Sequence, residues 1–390
     1  MTFDDISIFL EPSQISTNTY SDDALGGKVL FIEKKSYENE FFQKKLVILG
    51  IMEDRGNTEN KGSSNAPDLI RAQLYKLKIG GYESDLIDLG NISPGFEKND
   101  TYFATSQTIA YLLFQNATII VIGGSQDLTY PIYKSFENLE QVVNLASIDP
   151  KFDIGTLDQE IDSDNFLGRI VAHQPNYLFN YSNLGYQSYF TDPKTIELMQ
   201  KLYFDAYRLG EIKENMELAE PALRNADIVS FDLSAIRSAD FLAHNQVTPN
   251  GFNGEDACKI SRYAGLSDKL SVFGLFELNP DLDFRNQSTI LAAEMIWYFL
   301  NGYFNRINDY PIVDKSKYTR YSVPIKEDRY EIVFYKSNKS DRWWMEVPYP
   351  SKPTNKYERH FMVPCSYKDY QVACNNEIPD RWWQTYQKLH

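Results

Sequence analysis

Cysteine, basic residues and long apolar runs are all scarce in this sequence. Three cysteines, an odd number without a CxxC spacing, argue against a disulfide framework: Cys258, Cys365 and Cys374. Acidic residues outnumber basic ones by 54 to 39, and the net charge of −15 argues against nucleic acid and anionic lipid as partners, since both need a positive surface. No apolar run reaches the ~20 residues that cross a bilayer, and the acidic start lacks the features of a signal peptide. Together these absences predict a cytoplasmic protein without membrane insertion.

A regular alternation of short apolar runs and helical patterns occupies residues 45–304. Hydrophobic residues make up 43% of the chain, which is enough for a sizeable core. Strands that are apolar on both faces and separated by helices predict a parallel sheet covered on both sides. We expect an α/β three-layer sandwich with a sheet of about eight strands, at residues 45–51, 84–90, 117–124, 141–149, 176–182, 204–210, 227–236 and 270–280.

The two ends of the chain depart from this alternation. Residues 1–44 are predicted to be irregular, and residues 305–390 to form an ordered, aromatic extension packed on the α/β domain. The extension carries the motif "DRWW" twice, and adjacent residues of a strand point to opposite faces. We therefore expect one Trp of each pair to anchor the extension and the other to be open to a protein partner, with four candidates: Trp343, Trp344, Trp382 and Trp383.

Polar residues cluster where the predicted strands end. Ligands of a parallel α/β sheet bind at the carboxyl ends of its strands, so these residues are the candidate site. They occur in the stretches "GGSQD" (123–127), "DPKFD" (149–153), "SFDLS" (230–234) and "FELNP" (276–280).

The order and spacing of these stretches resemble the arginase–agmatinase–formiminoglutamase superfamily of ureohydrolases. Members of that superfamily carry GGDHS, DAHxD, SxDxD and a glutamate before Asn-Pro, in this order. The stretches "APDLIRAQL" (66–74) and "LIDLGNI" (86–92) also resemble the family pattern. The resemblance implies an arginase/deacetylase-like fold, two manganese ions and a guanidinium-type substrate.

The chain departs from that pattern at the metal ligands. The family's six ligand positions fall on Gln126, Asp149, Lys151, Asp153, Asp232 and Ser234. Both histidine ligands are replaced, and lysine at neutral pH has no lone pair for a metal. We therefore expect no dinuclear centre, with the Lys151 ammonium paired to Asp149 or Asp232. At most one weakly held Mn²⁺, Mg²⁺ or Ca²⁺ is expected, on the oxygen ligands Gln126, Asp149, Asp153 and Asp232.

These losses predict a change of function. A ureohydrolase needs two metals to activate its water, and none of the four histidines, His173, His244, His360 and His390, falls on a motif. The sequence therefore predicts a catalytically inactive ureohydrolase fold, without a cofactor, that serves as a structural or protein-binding component. Glu277 either retains a role in guanidinium binding or only caps or pairs locally.

Two alternatives stay open at this stage. The first is an active formiminoglutamase-like C–N hydrolase with a reduced metal site, and the second is a non-catalytic sensor of a guanidinium or amino-acid ligand. The protein partner is not identified by the sequence. Because enzymes of the superfamily often form trimers or hexamers, a homo-oligomer also stays open.

Overall fold

A computed structural model describes most of the chain. The described residues are 2–15, 19–33, 37, 40–78, 80–81, 86–156, 158–311, 314–325, 330–348 and 359–390. Residues 84–85, at the start of the predicted strand 84–90, lie outside this set, as do parts of the predicted segments 1–44 and 305–390. No helix among the described residues is both long and apolar enough to span a bilayer.

The centre of the molecule is a mostly parallel β-sheet. Its strands are β1 (Leu10–Glu11), β2 (Leu30–Phe31), β3 (Leu46–Ile51), β4 (Leu86–Ile92), β5 (Thr118–Ile122), β6 (Val143–Ile148), β7 (Leu178–Tyr186), β8 (Asp205–Arg208), β9 (Ile228–Asp232) and β10 (Val272–Phe276). They follow the order β1-β4-β3-β5-β10-β9-β6-β7-β8, with β2 beside β4. All of these pairings are parallel except that of β1 with β4. The predicted α/β fold class is confirmed.

Helices cover both faces of the sheet. They are α1 (Phe3–Ser7), α2 (Ala66–Leu74), α3 (Lys98–Phe114), α4 (Thr129–Ser135), α5 (Phe166–Ala172), α6 (Pro193–Lys201), α7 (Leu209–Glu214), α8 (Ala219–Asn225), α9 (Gly254–Gly265) and α10 (Gln287–Phe304). Helices α2 and α7–α10 contribute to one hydrophobic core, and α1 and α3–α6 to the other. Along β3, Leu46 and Ile48 face the first core while Val47 and Leu49 face the second. This period of two explains why each strand is apolar throughout.

The structure adds two details to the sequence pattern. The described part of residues 1–44 contributes α1 and the short strands β1 and β2, both of which pair with β4. The helical segment between β8 and β9 is divided at Asn215. The backbone of Asn215 is extended and its side chain accepts a hydrogen bond from the Glu217 N–H, so a new helical segment begins there. The predicted domain boundaries themselves stay a prediction.

The C-terminal extension forms a second, antiparallel sheet. Its strands β11 (Tyr318–Ile325), β12 (Tyr330–Ser337), β13 (Trp343–Glu346) and β14 (Met362–Cys365) pair in chain order and are followed by α11 (Tyr367–Cys374) and α12 (Asp380–Leu389). The buried Arg224 side chain of α8 donates to the Cys365 carbonyl at 3.0 Å. This contact joins the extension to the α/β domain.

The four tryptophans differ in their surroundings. Trp343 and Trp344 point to opposite faces of β13, but both are buried, the first against Tyr370 and the second under the Arg224 guanidinium. The inside-and-outside arrangement expected for the first pair is therefore not found. In α12, Trp382 is 1% exposed and Trp383 is 42% exposed. Partner binding by these residues stays a prediction.

Burial predicts which tryptophan stabilises the extension. Trp344→Ala is expected to lower the free energy of unfolding by about 3–5 kcal/mol, because a buried indole leaves a cavity. Trp383→Ala, the matched control on a half-exposed ring, should lower it by less than about 1 kcal/mol. Urea unfolding of the full chain, followed by circular dichroism, measures both. Equal losses would show that the packing described for Trp344 is not what stabilises the extension.

Candidate active site

The candidate site lies at the carboxyl ends of four strands that are neighbours in the sheet. Strands β5, β10, β9 and β6 lie side by side in this order. Gln126 and Glu277 follow β5 and β10, Asp232 ends β9, and Asp149 follows β6. Residues far apart in the chain are thereby in contact, as in the hydrogen bond between Gln126 and Glu277, which are 151 positions apart.

The turn "GGSQD" after β5 positions two of the acidic side chains. A side chain at Gly124 would collide with the Glu53 carbonyl at 1.9 Å, so the turn requires glycine there. The backbone N–H of Gln126 donates to Glu277 Oε1 at 2.7 Å, and its side-chain Nε2 donates to Asp149 Oδ2 at 2.9 Å. The amide oxygen of Gln126 is then the atom available to a cation.

Asp127, the last residue of the turn, has a supporting role. It is completely buried, accepts a hydrogen bond from the Tyr102 hydroxyl, and lies directly beneath Gly56. Burial raises the pKa of Asp127 from 3.8 to about 6. The carboxyl of Asp127 does not line the cavity, and its hydrogen bond with Tyr102 instead fixes the turn to α3.

Three buried aspartates form the acidic part of the site. Burial raises the pKa of Asp149, and burial together with the charge of Asp149 raises the pKa of Asp153 well above its ordinary range. The same two causes raise the pKa of Asp232 from 3.8 to about 7. Like charges held close together out of water resist ionisation, so the arrangement favours either protons or a cation among these carboxylates.

Two acidic residues of the site have unusual backbone conformations. Asp153 has φ = 45° and Glu277 has φ = 71°. These are left-handed conformations that residues other than glycine seldom adopt, and such residues concentrate at functional sites. The surrounding structure therefore holds both carboxylates in place at some cost to stability.

Glu277 differs from the aspartates in its hydrogen bonding. Its carboxylate accepts from the Ser163 hydroxyl at 2.7 Å and from the side chains of Asn57 and Asn60 at 2.9 Å each. Burial alone would raise the pKa of Glu277, but the hydrogen bond and charge of His244, with these donors, lower it. Glu277 is thus held as a carboxylate by side chains from several elements, and among the described residues these partners are Ser163, Asn57, Asn60 and His244.

Lys151 does not lie where the sequence predicted. Its ammonium is 3.1 Å from Asp164 Oδ1 and 3.4 Å from Gln246 Oε1, at the mouth of the site, rather than paired with Asp149 or Asp232. Only its backbone N–H contacts Asp149, at 2.7 Å. The reason is local geometry, since this backbone contact follows the strand end and leaves the long side chain free to reach solvent.

Ser234 occupies the position of the family's last aspartate and contacts Asp232 twice. Its backbone N–H donates to Asp232 Oδ1 and its hydroxyl to Oδ2, both at 2.7 Å. Ser234 is therefore a donor to a carboxylate and not an additional negative ligand.

Several residues of the site were not predicted from the sequence. The small cavity between the strand ends has a volume of about 30 Å³, enough for a few water molecules or an ion. Beyond the predicted residues, its walls include Asn57, Glu59, Asn60, Ser163, Asp164, His244 and Gln246. They belong to loops after β3, β6 and β9, and no motif or periodicity marks them.

Among the wall residues that the sequence did not predict, His244 is the one whose side chain titrates near neutral pH. Its Nδ1 accepts the Gln246 backbone N–H at 2.9 Å, and its Nε2 is 3.7 Å from Glu277 Oε2. Burial alone would lower the pKa of His244, but the nearby Glu277 carboxylate and the charge of Asp232 raise it. In the neutral ring the proton is on Nε2, since Nδ1 is an acceptor. His173 and His360 lie elsewhere, against Tyr130 and Phe179.

The oxygen ligands of the site fit manganese, the metal that the family pattern implies. The carboxylates of Asp149, Asp153 and Asp232, with the amide oxygen of Gln126, are the hard oxygen ligands that Mn²⁺ accepts, and their clustered charge favours a cation. No three His, Cys, Asp or Glu side chains among the described residues are already gathered as metal ligands. An ion would therefore replace hydrogen bonds that these groups now make. The remaining positions, Lys151 and Ser234, do not fit a second ion.

A family model and related sequences match most of the chain. The model described as the arginase family matches residues 44–301. A formimidoylglutamase of Staphylococcus haemolyticus is 26% identical over 295 residues, which cover 70% of this chain and 91% of the relative.

Solved structures show the same fold. Trypanosoma cruzi formiminoglutamase, in a crystal structure with Mn²⁺, has a TM-score of 0.63 at 19% identity and covers 71% of this chain and 97% of its own. The formimidoylglutamase of Bacillus subtilis has a TM-score of 0.66 at 16% identity, with 78% and 98% covered.

These comparisons correct two predictions. The main prediction, a catalytically inactive structural or binding protein, is wrong, because the chain matches proteins named formimidoylglutamase over nearly their whole length. The prediction that no metal cofactor is needed is also wrong, because a formiminoglutamase of this fold contains Mn²⁺. Three aspartates of the family pattern, Asp149, Asp153 and Asp232, are still present at the strand ends, so the missing histidines alone do not establish a loss of chemistry. With its match over residues 44–301, the chain belongs to the arginase family, a family of hydrolases.

Proposed function

We propose that this protein is a formimidoylglutamase-type hydrolase, which cleaves the C–N bond between a formimidoyl group and the amino group of glutamate. One observation carries the proposal. The acidic side chains Asp153, Asp232 and Glu277 line one cavity at the ends of adjacent strands, and Asp149 lies beside them, hydrogen-bonded to Gln126. The similarity to relatives named formimidoylglutamase supports this substrate over others of the family.

The walls of the cavity suit an amidine. A formimidoyl group is an amidine, which is cationic near neutral pH and carries N–H donors. Glu277 provides a carboxylate beside the cavity, and the buried side-chain oxygen of Asn60 has no hydrogen-bond partner among the described residues. An unpaired buried acceptor is costly, so an N–H group of the substrate at Asn60 Oδ1 would remove that cost.

Manganese is the cofactor we propose, held by Gln126, Asp149, Asp153 and Asp232. When bound, a divalent ion lowers the pKa of water and polarises the carbon that is attacked. Ser234 and the Lys151 backbone orient Asp232 and Asp149 through hydrogen bonds, and such supporting contacts hold ligands in the right direction.

His244 provides a hydrogen-bond donor beside the carboxylates. Its Nε2–H faces Glu277, and its Nδ1 is fixed by the Gln246 backbone, so the ring cannot turn without breaking a hydrogen bond. We propose that Nε2–H donates a hydrogen bond to the departing amino group, while the proton that this group gains comes from the attacking water. Glu277 then keeps the ring oriented towards the cavity.

The proposed activity is tested by product release. The purified chain with Mn²⁺ is expected to release formamide and glutamate from N-formimidoyl-L-glutamate, and Asp149→Asn should reduce the rate by more than about 100-fold, since it alters a metal ligand. Asp341→Asn, on an exposed turn of the extension, is the matched control. If the manganese-loaded wild type releases no formamide, the proposed reaction is wrong.

The metal site is tested separately by stability as a function of pH. The folded protein binds more protons than the unfolded chain wherever a carboxyl pKa is raised, so without metal the stability should fall as pH rises from about 4 to about 7. Mn²⁺ binds the deprotonated carboxylates, so it should raise the melting temperature at pH 8 and scarcely at pH 5.

A ligand variant gives the matching control for the metal site. A concentration of Mn²⁺ 100 times its dissociation constant corresponds to about 2.7 kcal/mol of stabilisation. Asp149→Asn removes a charge from the crowded set, so it should raise the stability of the metal-free protein and abolish the shift caused by Mn²⁺. Differential scanning calorimetry measures both effects. A shift of equal size in the wild type and the variant would place the ion elsewhere.

A further inference from the structure

A chain of polar contacts crosses the mouth of the cavity. The Lys151 ammonium contacts Asp164 and Gln246, and the Gln246 side-chain amide donates to the Glu59 carboxylate. The side chain of Lys151 is 36% exposed and that of Asp164 is 77% exposed. The cavity behind them holds only about 30 Å³, so a substrate the size of a formimidoyl amino acid must displace these contacts to enter.

Lys151 is the one fixed positive charge among the described residues that line the cavity. The other charged wall residues are acidic, namely Glu59, Asp153, Asp164, Asp232 and Glu277. A formimidoyl derivative of glutamate carries two carboxylates, and the protein has a net charge of −15. A molecule with two carboxylates at its outer end, approaching an acidic mouth on an acidic protein, needs a local cation there, and Lys151 is placed to provide it.

The backbone of Lys151 makes two short hydrogen bonds, whereas its ammonium pairs with an exposed carboxylate. The N–H donates to Asp149 and the carbonyl accepts from the Asn183 side chain, both at 2.7 Å. The ammonium pairs with a mostly exposed Asp164, and such surface pairs contribute only about 0–1 kcal/mol. The charges of Asp153 and Asp232 also act on the ammonium, and they would remain after Asp164 is displaced. A carboxylate of the substrate can therefore replace Asp164 without disturbing the strand end.

We propose that Lys151 binds a carboxylate of the substrate at the mouth of the cavity and so determines specificity for acidic amidines. The formimidoyl end then lies inside, towards Asn60 and Glu277, and the glutamate carboxylates lie outside, where Lys151 and the Gln246 amide donate to them. This inference rests on the proposed function. It assigns to Lys151 a role in binding rather than in the chemistry.

The first test compares two substrates on the manganese-loaded full chain. With N-formimidoyl-L-glutamate, Lys151→Met should raise KM by about 10- to 100-fold, the effect of losing a hydrogen bond to a charged group, while Lys151→Arg should stay close to the wild type. With N-propylformamidine, which lacks carboxylates, the wild type and Lys151→Met should have similar KM values. Lys213→Met, paired to Asp256 outside this cavity, is the control. An equal loss on both substrates, or none on either, would overturn the proposal.

The second test does not depend on turnover. Glutarate, a dicarboxylate without an amidine, should raise the melting temperature of the wild type and of Lys151→Arg but not of Lys151→Met. Asp164→Asn should strengthen the effect, because it removes the competing carboxylate. If the wild type releases no formamide yet glutarate binding depends on Lys151, the proposed reaction fails and the carboxylate site stands. If glutarate protects Lys151→Met as well as the wild type, the carboxylate site fails.

Discussion

The structure of the site depends on the mutual repulsion of three buried carboxylates. Asp149, Asp153 and Asp232 are brought together by strands that the hydrophobic cores lock in register, so they cannot move apart. Hydrogen bonds from Gln126 and Ser234 stabilise two of them, yet their pKa values stay raised because burial outweighs these neutral donors. A divalent cation is the simplest group that can balance such a set in a buried place.

Strand order explains how distant residues form one site. Strand β10 lies between β5 and β9, although it follows both in the chain, and this brings Glu277 beside Gln126. The glutamate is then supported by loops from three other strand ends, through Asn60, Ser163 and His244. Because each support comes from a different element, the position of Glu277 depends on the whole sheet edge being formed, which also allows its left-handed backbone conformation.

The sequence predicted the frame of the site better than its side-chain directions. The eight predicted strands correspond to β3–β10, because apolar runs and strand-end motifs are encoded locally. His244 and Asn60 could not be predicted, since they belong to loops whose path is set by tertiary contacts. Lys151 was placed wrongly because charge balance suggested an inward pairing, whereas a lysine gains more by keeping its ammonium at the solvent boundary. The prediction of an inactive protein is wrong for a related reason, because it equates the absence of histidine ligands with the absence of a metal.

The outward direction of the Lys151 side chain helps to explain why the site contains so many acidic residues. If this chain had no use for a cation, an inward lysine would relieve the repulsion among Asp149, Asp153 and Asp232, and the fold would gain stability. Instead the ammonium pairs with Asp164 and Gln246, so its charge offsets the repulsion only in part, and the pKa of Asp153 stays raised. The strained backbone at Asp153 is a further cost that packing alone does not require. A protein that keeps a repulsive cluster beside an available lysine retains the charge that a metal needs, and leaves the lysine for an anionic ligand at the mouth. Both features agree with the hydrolase function proposed above and with the proposed binding of an acidic substrate at Lys151.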